Sequence, residues 1–516
     1  MRGNKIVKNL NFGLEAREGI YQGVDKLYKA VSSTLGASGK AVILEDEDGN
    51  PIITKDGVSV ANAITLLDPV ENMGATLLKD AARKTVEEAG DGTTTATVLA
   101  HAILTEAYSH DAKDVKEGIK TATEKVIKYL ESVASPVKGD MLKHIATISA
   151  NNDPEIGKII SSAFAEVGDN GVVTMEQSSD ENTLYKVING ASFDKGLVNL
   201  FFATNEDKNK CVLNNPLVLI CENKIDNIRK IESILKHVMV NKRELLIVAE
   251  MDSQVSGALA MNKMKGNIKC NVIDSPDFGF NRKQKLHDLS LITGAKVISE
   301  DLGDDIDLIE IEHLGSCSRA TTDLHETIIE IAEESEELTA AIDSVKRQIE
   351  EEDKPGKKAQ LDRRLGFLSC KVAVIKVGAN SEVELKEKTD RVEDAIFATR
   401  AAIKEGVVSG GGIALLNASY SFAPDNQGEE ILLNSIRKPL EVILENADRF
   451  GDEINDIGSK DGFGMNVKTG EMVNMIEAGI IDPLLVTKSA LKNAVSVATT
   501  ILSTNCVINN LRTKEQ

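Results

Sequence analysis

The sequence predicts a mainly α-helical, multidomain protein with an α/β segment inserted in its middle. Both ends of the 516-residue chain carry apolar residues at helical spacing, such as Ala16, Ile20 and Val24. From about 190 to 378, short apolar runs such as 217–220 alternate with amphipathic segments, which is typical of an α/β domain. The length fits about three domains. We therefore expect the two helical ends to form one domain that receives the middle as an insert.

Smaller patterns predict individual elements along the chain. Two apolar runs, 41–44 and 51–54, flank an acidic turn and predict a β-hairpin. Residues 335–369 predict a pair of helices that meets at Pro355, and the charges at their junction are typical of a solvated turn. A short strand is expected around Val507.

Composition excludes several classes of protein. The net charge of −21 argues against a nucleic-acid partner, which requires a basic face. Six cysteines lie far apart without a CxxC pair and the seven histidines are scattered, which favours free thiols in a reducing compartment and no zinc site. No apolar run reaches membrane-spanning length, and the first residues lack the apolar core of a signal peptide. We expect a cytoplasmic protein that binds neither nucleic acid nor membranes.

A glycine- and threonine-rich run at 90–97 is the strongest local signal of function. Gly90 and Gly92 let the backbone approach an anion closely, and the threonines after them open an apolar stretch that predicts a buried helix. The free amides at a helix N-terminus bind phosphate, and the Asp91 carboxylate is a suitable ligand for Mg²⁺. The alternative is an ordinary N-capped helix with a glycine-rich lead-in, and the run alone does not decide between the two.

Further motifs follow one another in a fixed order, and none of them is specific alone. They lie at 34–36, 53–60, 71–75, 90–95, 148–151, 193–196, 391–395, 398–402, 406–412 and 479–483. Together with the layout of the chain, their order and spacing resemble the group I chaperonins, the bacterial and organellar ring-forming ATPase chaperones. The resemblance covers nearly the whole chain.

The resemblance implies a mainly α chaperonin fold with three domains. A helical equatorial domain would comprise 1–134 and 406–516, and a small α/β intermediate domain would comprise 135–189 and 379–405. The inserted α/β apical domain would span 190–378. Gly190 and Gly378 fall at the inferred junctions and resemble hinge positions, although each is equally compatible with an ordinary turn.

The resemblance also implies an ATP site. Asp91 would bind Mg²⁺, the backbone carbonyl of Lys55 would help to hold K⁺, and Asp482 would accept hydrogen bonds from the ribose. Gly411 would pack against the nucleotide, and Asn466 would lie near the adenine. The full implied set is Thr34, Leu35, Gly36, Ala37, Lys55, Asp91, Gly92, Thr93, Thr94, Thr95, Gly411, Asn466, Val467, Lys468 and Asp482.

Two further carboxylates would carry the hydrolysis of ATP. Phosphoryl transfer to water requires an oriented water molecule and compensation of the developing charge. Asp394 resembles the intermediate-domain aspartate that orients the water, and Asp56 resembles the equatorial aspartate that assists it. The residues alone favour other interpretations, which are a solvated charge on a helix for Asp394 and an Asp-Gly turn for Asp56.

Partners are implied by the same resemblance. Non-native proteins would bind to apolar residues of the apical domain, and the subunits would form single or double rings of seven. A small lid co-chaperonin is a further candidate partner. The client-binding residues would be Leu197, Phe201, Phe202, Leu235, Leu259 and Met261, for which ordinary helix core is the alternative.

Departures from the family pattern leave alternatives open. Ala37 and Ser38 replace a usual proline and basic residue, Val467 and Lys468 replace two alanines, and Glu232 stands where leucine is usual. A chaperonin-like paralogue that keeps the ATPase ring but has a narrow client range or an interaction role is therefore the second hypothesis. The third is a small-molecule kinase or synthetase with a glycine-rich phosphate loop, for which no second catalytic constellation is visible.

Overall fold

The computed structural model describes residues 8–510 except 46–48, 50, 151–152, 169–170, 179, 205–208, 277–278, 333–334, 353–354, 370 and 450–459. Asn151, Cys370 and most of the predicted hairpin turn therefore lie outside the described residues. The chain divides into two compact units. The first unit comprises Met1–Ser161, Gln177–Asn182 and Val377–Gln516, and the second comprises Ser162–Glu176 and Thr183–Lys376.

The N-terminal part of the first unit is helical apart from one strand and one hairpin. Its elements are β1 (Lys8–Phe12), α1 (Gly13–Ser32), β2 (Val42–Glu45), β3 (Pro51–Thr54), α2 (Gly57–Ala63), α3 (Pro69–Ala89), α4 (Thr93–Ala107), α5 (Ala112–Val133), α6 (Met141–Ser149) and the beginning of α7 (Pro154–Val167). Local sequence fixes several ends. Asp68 caps α3, whose first residue is Pro69, and a left-handed Gly90 ends it.

The second unit is the α/β insert. Its elements are β4 (Val172–Gln177), β5 (Leu184–Phe193), β6 (Cys211–Asn214), β7 (Leu217–Cys221), α8 (Glu232–Val240), β8 (Glu244–Val248), α9 (Ser253–Met264), β9 (Lys269–Ile273), α10 (Gly279–Thr293), β10 (Val297–Ile298), β11 (Gly315–Ser316), β12 (Arg319–Thr322), β13 (Thr327–Ile331), α11 (Glu336–Glu351), α12 (Pro355–Leu368) and β14 (Lys371–Val377). The helical pair predicted around Pro355 is confirmed as α11 and α12.

Two sheets organise this unit. Strands β10-β7-β8-β9 run parallel, with β11 antiparallel beside β7. The second sheet has the order β4-β14-β5-β13-β12-β6. Strands β7 to β9 are apolar on both faces because the crossover helices cover them, which explains the continuous apolar runs in the sequence.

The C-terminal part of the chain returns to the first unit. Its elements are α13 (Glu382–Glu405), β15 (Val407–Ser409), α14 (Ile413–Tyr420), α15 (Gln427–Ser435), α16 (Lys438–Asn446), β16 (Phe463–Asn466), β17 (Glu471–Asn474), β18 (Ile481–Pro483), α17 (Leu484–Leu502) and β19 (Cys506–Asn510). Strand β19 pairs antiparallel with β1, so the two ends of the described chain meet in one small sheet.

The main core of the first unit is shared by both halves of the sequence. Leu78, Leu99 and Ile103 from α3 and α4 pack in one cluster with Leu491 and Val495 of α17. Both helical ends of the chain therefore share one packed core within the first unit, and the division into three domains stays a prediction. None of the helices in the described residues is long and apolar enough to cross a membrane.

Candidate functional site

The loop Gly90-Asp91-Gly92 joins α3 to α4 and contains two left-handed residues. Gly90 has φ +76° and Gly92 has φ +100°, a region that other residues rarely adopt. Gly92 is the N-cap of α4 and has no side chain with which to cap it. The alternative of an ordinary side-chain cap therefore does not apply, and this helix N-terminus is suited to an external anion.

Close approach of three other elements also requires glycine here. A Cβ on Gly90 would lie 2.1 Å from Cβ of Phe397 on α13, and one on Gly92 would lie 2.9 Å from Cγ1 of Val486 on α17. A Cβ on Gly57, the first residue of α2, would lie 2.3 Å from Oγ1 of Thr94. Elements from both halves of the sequence therefore converge on the start of α4.

Asp56 caps α2 with both carboxylate oxygens. Its Oδ1 accepts from the amide of Val58 at 3.1 Å, and its Oδ2 accepts from the amide of Ser59 at 2.6 Å. The Asp-Gly pair is therefore a helix start. Both bonds fix the carboxylate at the start of α2, and its charge acts on Asp91 and Asp394.

Burial and mutual repulsion raise the pKa of carboxylates around this loop. Burial, together with the nearby charge of Asp56, raises the pKa of Asp91, although the amide of Gly92 opposes the shift by donating to it. Burial and then the charges of Asp91 and Asp56 raise the pKa of Asp394 well above its usual range. Asp394 on α13 is thus close to the glycine loop, in contrast to the solvated charge that the helix pattern alone favours.

Asp482 on β18 is a further carboxylate near this loop. The strand pairs with β15, and a Cβ on Gly410 would lie 3.0 Å from Oδ1 of Asp482. Burial and the charge of Asp91 raise the pKa of Asp482 to about 7, while the amide of Gly411 donates to the carboxylate and opposes this shift. Gly411 and Asp482 are therefore brought together as the sequence predicts.

Residues from the other predicted nucleotide segments lie in turns. Thr34 to Ala37 follow α1, and a Cβ on Gly36 would lie 3.0 Å from Cγ1 of Ile443 on α16. Asn466 ends β16, and its Oδ1 accepts from the amide of Lys468 at 3.1 Å, which shapes the turn into β17. Val467 packs against the buried cluster of Ile413, Leu416, Leu440, Leu444 and Met475. Lys55 is exposed between β3 and α2.

The donor set fits a magnesium nucleotide. A cation nearby would relieve the repulsion among these carboxylates, and oxygen ligands are those that Mg²⁺ prefers. In the described residues no group of three or more histidine, cysteine or acidic side chains is arranged to hold a metal ion. Asp91 would therefore supply one ligand, and phosphate oxygens and water would supply the others, as is usual for Mg²⁺ in nucleotide sites.

Comparison with known proteins places this geometry in a family. A model of the TCP-1/cpn60 chaperonin family matches residues 27–512. The chain belongs to this chaperonin family. Its members are ATPases that assist protein folding, and the chain is accordingly an ATP-dependent folding chaperone.

Solved structures agree on the fold. The chaperonin is similar to gp146, a chaperonin from the bacteriophage EL 2 (Pseudomonas aeruginosa) crystallised in the presence of ATP-BeFx. The alignment covers 98% of this chain and 99% of the other with 21% identity and a TM-score of 0.71. A second crystal form of the same protein gives the same identity and coverage with a TM-score of 0.65.

Burial separates the six predicted client-binding residues of this chaperonin into two groups. Phe201 and Met261 are 58% and 52% exposed. Phe202, Leu235 and Leu259 are buried against the β7-β8-β9 sheet, and Leu197 is partly buried beside them. Side chains that face the sheet contribute core, so the candidate client surface consists of Phe201 and Met261. Leu200 and Met264 are also exposed on the same two segments.

Two lysines shape this surface. Lys263 on α9 donates to the carbonyls of Phe201 and Ala203, which fastens the short helical turn carrying Phe201 to α9. On α8, Lys236 forms an ion pair of 2.7 Å with Glu232, and both side chains are exposed. Glu232 is therefore a paired surface charge in this structure, and it loses solvent only if a partner covers it.

Neither of the two candidate hinge positions has room for a side chain. Neither Gly190 nor Gly378 has a positive φ. A Cβ on Gly190, within β5, would lie 2.3 Å from the carbonyl oxygen of Ile329, and one on Gly378 would lie 2.2 Å from that of Asp180. Gly378 follows the boundary at Lys376 closely, whereas Gly190 lies inside the second unit. Their role as hinges remains a prediction.

Sequence reasoning missed the residues that support the site from behind. Phe397 and Val486 pack against the glycine loop, and Asn446 donates to the carbonyls of Ser32 and Leu35. Phe397 lies three residues after Asp394, and this spacing puts both residues on one face of a helix. The sequence could therefore have indicated that Phe397 lies near the site. The other two stand outside every motif, so only the fold reveals them.

Proposed function

We propose that this chaperonin assembles into rings, captures non-native proteins on the second unit and uses ATP hydrolysis in the first unit to release them. One observation carries the proposal. Carboxylates from two distant segments of the chain, Asp56 and Asp91 in one and Asp394 in the other, interact around a glycine loop at the start of a buried helix. This arrangement serves phosphoryl transfer, in which charge and position matter more than covalent chemistry.

The roles of the binding residues follow from their placement. The start of α4 and the hydroxyls of Thr93, Thr94 and Thr95 would cradle the phosphates, with Mg²⁺ on Asp91. Asp482 would accept hydrogen bonds from the ribose next to Gly411. K⁺ would bind near the phosphates at the backbone carbonyl of Lys55, in the short link between β3 and α2.

Binding of the magnesium nucleotide and its hydrolysis are coupled through the charge of the cation. Asp91 would hold Mg²⁺, whose positive charge would lower the pKa of the neighbouring carboxylates. Asp394 would then be ionised and able to accept a hydrogen bond from the attacking water. Asp56, held by its two cap bonds, would assist by charge. Without the cation, burial and the charges of Asp91 and Asp56 hold the pKa of Asp394 above its usual range, which disfavours the ionised form that would orient water.

Assembly and capture use other surfaces. The exposed apolar side chains of Phe201, Met261, Leu200 and Met264 would bind apolar segments of unfolded proteins. Rings of seven subunits and a lid co-chaperonin are part of the proposal. We also propose a cytoplasmic location, which is supported by the free thiols of the five described cysteines.

Substitution of Asp394 tests the mechanism. We expect Asp394→Ala to keep the affinity for Mg-ATP and to lower turnover by about 100-fold or more, the usual contribution of a group that handles the proton of a nucleophile. Asp91→Ala should instead weaken Mg-nucleotide binding about tenfold or more, because a metal ligand is lost. Calorimetry and steady-state ATPase assays measure both quantities.

Glu393→Gln is the matched control, since it removes a charge from the adjacent position of α13. This variant should retain turnover. An equal loss of binding and turnover in Asp394→Ala would contradict the assignment of Asp394, and so would a comparable effect of Glu393→Gln.

A narrow client range is the second candidate function. It is favoured by the small size of the exposed apolar surface and by the Glu232–Lys236 ion pair on α8. Capture of several unrelated denatured proteins, measured as suppression of their aggregation, separates a general chaperone from a specialised one.

A further inference from the structure

The loop between α1 and β2 is a compact turn with defined hydrogen bonds. The amide of Lys40 donates to the carbonyl of Ser33 at 2.8 Å, and the amide of Gly39 donates to that of Gly36 at 2.9 Å. The second bond closes a β-turn in which Ala37 and Ser38 are the central residues. Gly36 has φ +85°, which glycine adopts without strain.

Asn446, the last residue of α16, ties this loop to a distant part of the chain. Its Nδ2 donates to the carbonyl of Ser32 at 3.0 Å and to the carbonyl of Leu35 at 2.9 Å. Both protons of this one side-chain amide are therefore used, one on the carbonyl of the last residue of α1 and one on a carbonyl of the loop that follows it. The side chain of Asn446 therefore holds the backbone on both sides of Thr34.

Bonding of the Leu35 carbonyl also decides where the next amide points. The peptide bond is planar and trans, so the N–H of Gly36 is directed away from the C=O of Leu35 and hence away from Asn446. Among the described residues, the amides of Gly36, Ala37 and Ser38 have no hydrogen-bond acceptor. Successive free amides next to a left-handed residue form an anion-binding concavity.

We infer that Asn446 is a positioning residue for the nucleotide loop and aims the amide of Gly36 at the bound nucleotide. This inference rests on the proposed ATP site. The turn itself is weakly constrained, because Ala37 occupies the first central position, where a proline would fix φ. Asn446 thus supplies from α16 the restraint that the turn sequence lacks.

The affinity for Mg-ATP tests this role in the full-length protein. Asn446→Ala removes two hydrogen bonds that hold the loop, so we expect the Kd for Mg-ATP to rise about tenfold. Turnover at saturating ATP should stay within about twofold, because the carboxylates that handle water are untouched. Asn446→Asp has the same size, lacks both donors and faces the two carbonyls with a charge that they repel, so it should weaken binding at least as much and guards against a packing defect.

Rescue and control variants make the test specific. Ala37→Pro restrains the same turn from within. It removes the amide of residue 37 and keeps that of Gly36, the donor that the inference concerns, so the double variant Asn446→Ala/Ala37→Pro should recover part of the affinity. Asn426→Ala removes an N-cap from α15, where the side chain accepts from the amide of Glu429 at 3.1 Å. It should lower stability by a comparable amount and leave the Kd within about twofold.

Two results would overturn the inference. One is an unchanged Kd in Asn446→Ala and Asn446→Asp, and the other is a weakened affinity that Ala37→Pro does not restore. Failure of the wild-type protein to bind Mg-ATP would instead refute the proposed site itself, so the two failures are distinguishable.

Discussion

At the scale of residues, Asp482 links the candidate site to the pH dependence of stability. Its carboxyl is buried near the charge of Asp91, and its pKa is raised to about 7. A carboxyl in the unfolded chain titrates near 4. The folded state therefore binds this proton more tightly, and the stabilisation is fully present below about pH 4 and is lost as the pH rises through about 7.

Removal of this charge should flatten the pH dependence of stability. We expect the nucleotide-free wild type to lose on the order of 2 kcal/mol relative to Asp482→Asn between pH 4 and 8, since one pKa unit corresponds to about 1.4 kcal/mol and solvent relieves part of the shift. Thermal unfolding of both proteins across this range measures the difference. A constant difference in Tm from pH 5 to 8 would contradict the shift.

At the scale of elements, the β2–β3 hairpin exposes apolar side chains that its own unit does not cover. Ile43 and Ile53 are cross-strand partners, and they are 69% and 64% exposed. A two-stranded hairpin is marginally stable alone and offers open edges to another chain. The β1–β19 pair has the same character, because Leu10, Phe12 and Ile508 are exposed.

A charge on the hairpin should therefore impair assembly. We expect Ile43→Glu to convert the proposed ring oligomer into smaller species, because a buried charge without a partner is costly at a subunit interface. Leu308→Glu places the same charge on an exposed leucine of the second unit and should leave assembly intact. Light scattering after gel filtration reports the mass, and a wild type that is monomeric with and without ATP would refute the assembly proposal.

The elements also show where sequence patterns are sufficient. The hairpin of β2 and β3 and the α11–α12 pair carry local signals, namely two apolar runs around a polar turn and a proline between two apolar stripes. Strand β1 was not predicted, because Lys8–Phe12 is only five residues long and gains its regular structure by pairing with β19. Its partner lies at the other end of the chain, beyond the reach of any local pattern.

At the scale of the whole molecule, client capture depends on what surrounds the apolar surface. Glu232 is paired with Lys236 in solvent. An unfolded segment that covers α8 would take both charges out of water, which opposes binding unless the segment brings polar groups of its own. Glu232→Leu should therefore strengthen capture of a generic denatured protein and binding of a lid from an unrelated bacterium.

Lys236→Leu is the matched control, because it removes the opposite charge from the same pair and leaves Glu232 without its partner. We expect this variant to capture apolar clients less well than Glu232→Leu. Calorimetry or a pull-down compares the three proteins. Tight binding of a generic lid by the wild type, unchanged in Glu232→Leu, would show that this face of α8 does not take part.

Some residues of the candidate site could be predicted from local sequence, and others could not. Asp91 and the glycines beside it are contiguous, so their chemistry is visible in the sequence. Asp394 and Asp482 lie far from them along the chain, and only the resemblance to a family connects the three before the fold does. For the client surface, the sequence gives no reason to distinguish Phe201 from Phe202, although only Phe201 is exposed. The direction of each side chain depends on how the turn packs on α9, which no spacing encodes.

The pairing of distant segments in the first unit has a consequence for synthesis on the ribosome. Helices α3, α4 and α5 bury their apolar faces against α17, which is made about 350 residues later. At about 5–20 residues per second, this delay lasts roughly 20–70 s. Synthesis of the second unit ends within that interval, whereas Leu78, Leu99 and Ile103 are not yet covered by α17. A nascent copy of this chaperone thus displays the kind of surface that a finished copy captures.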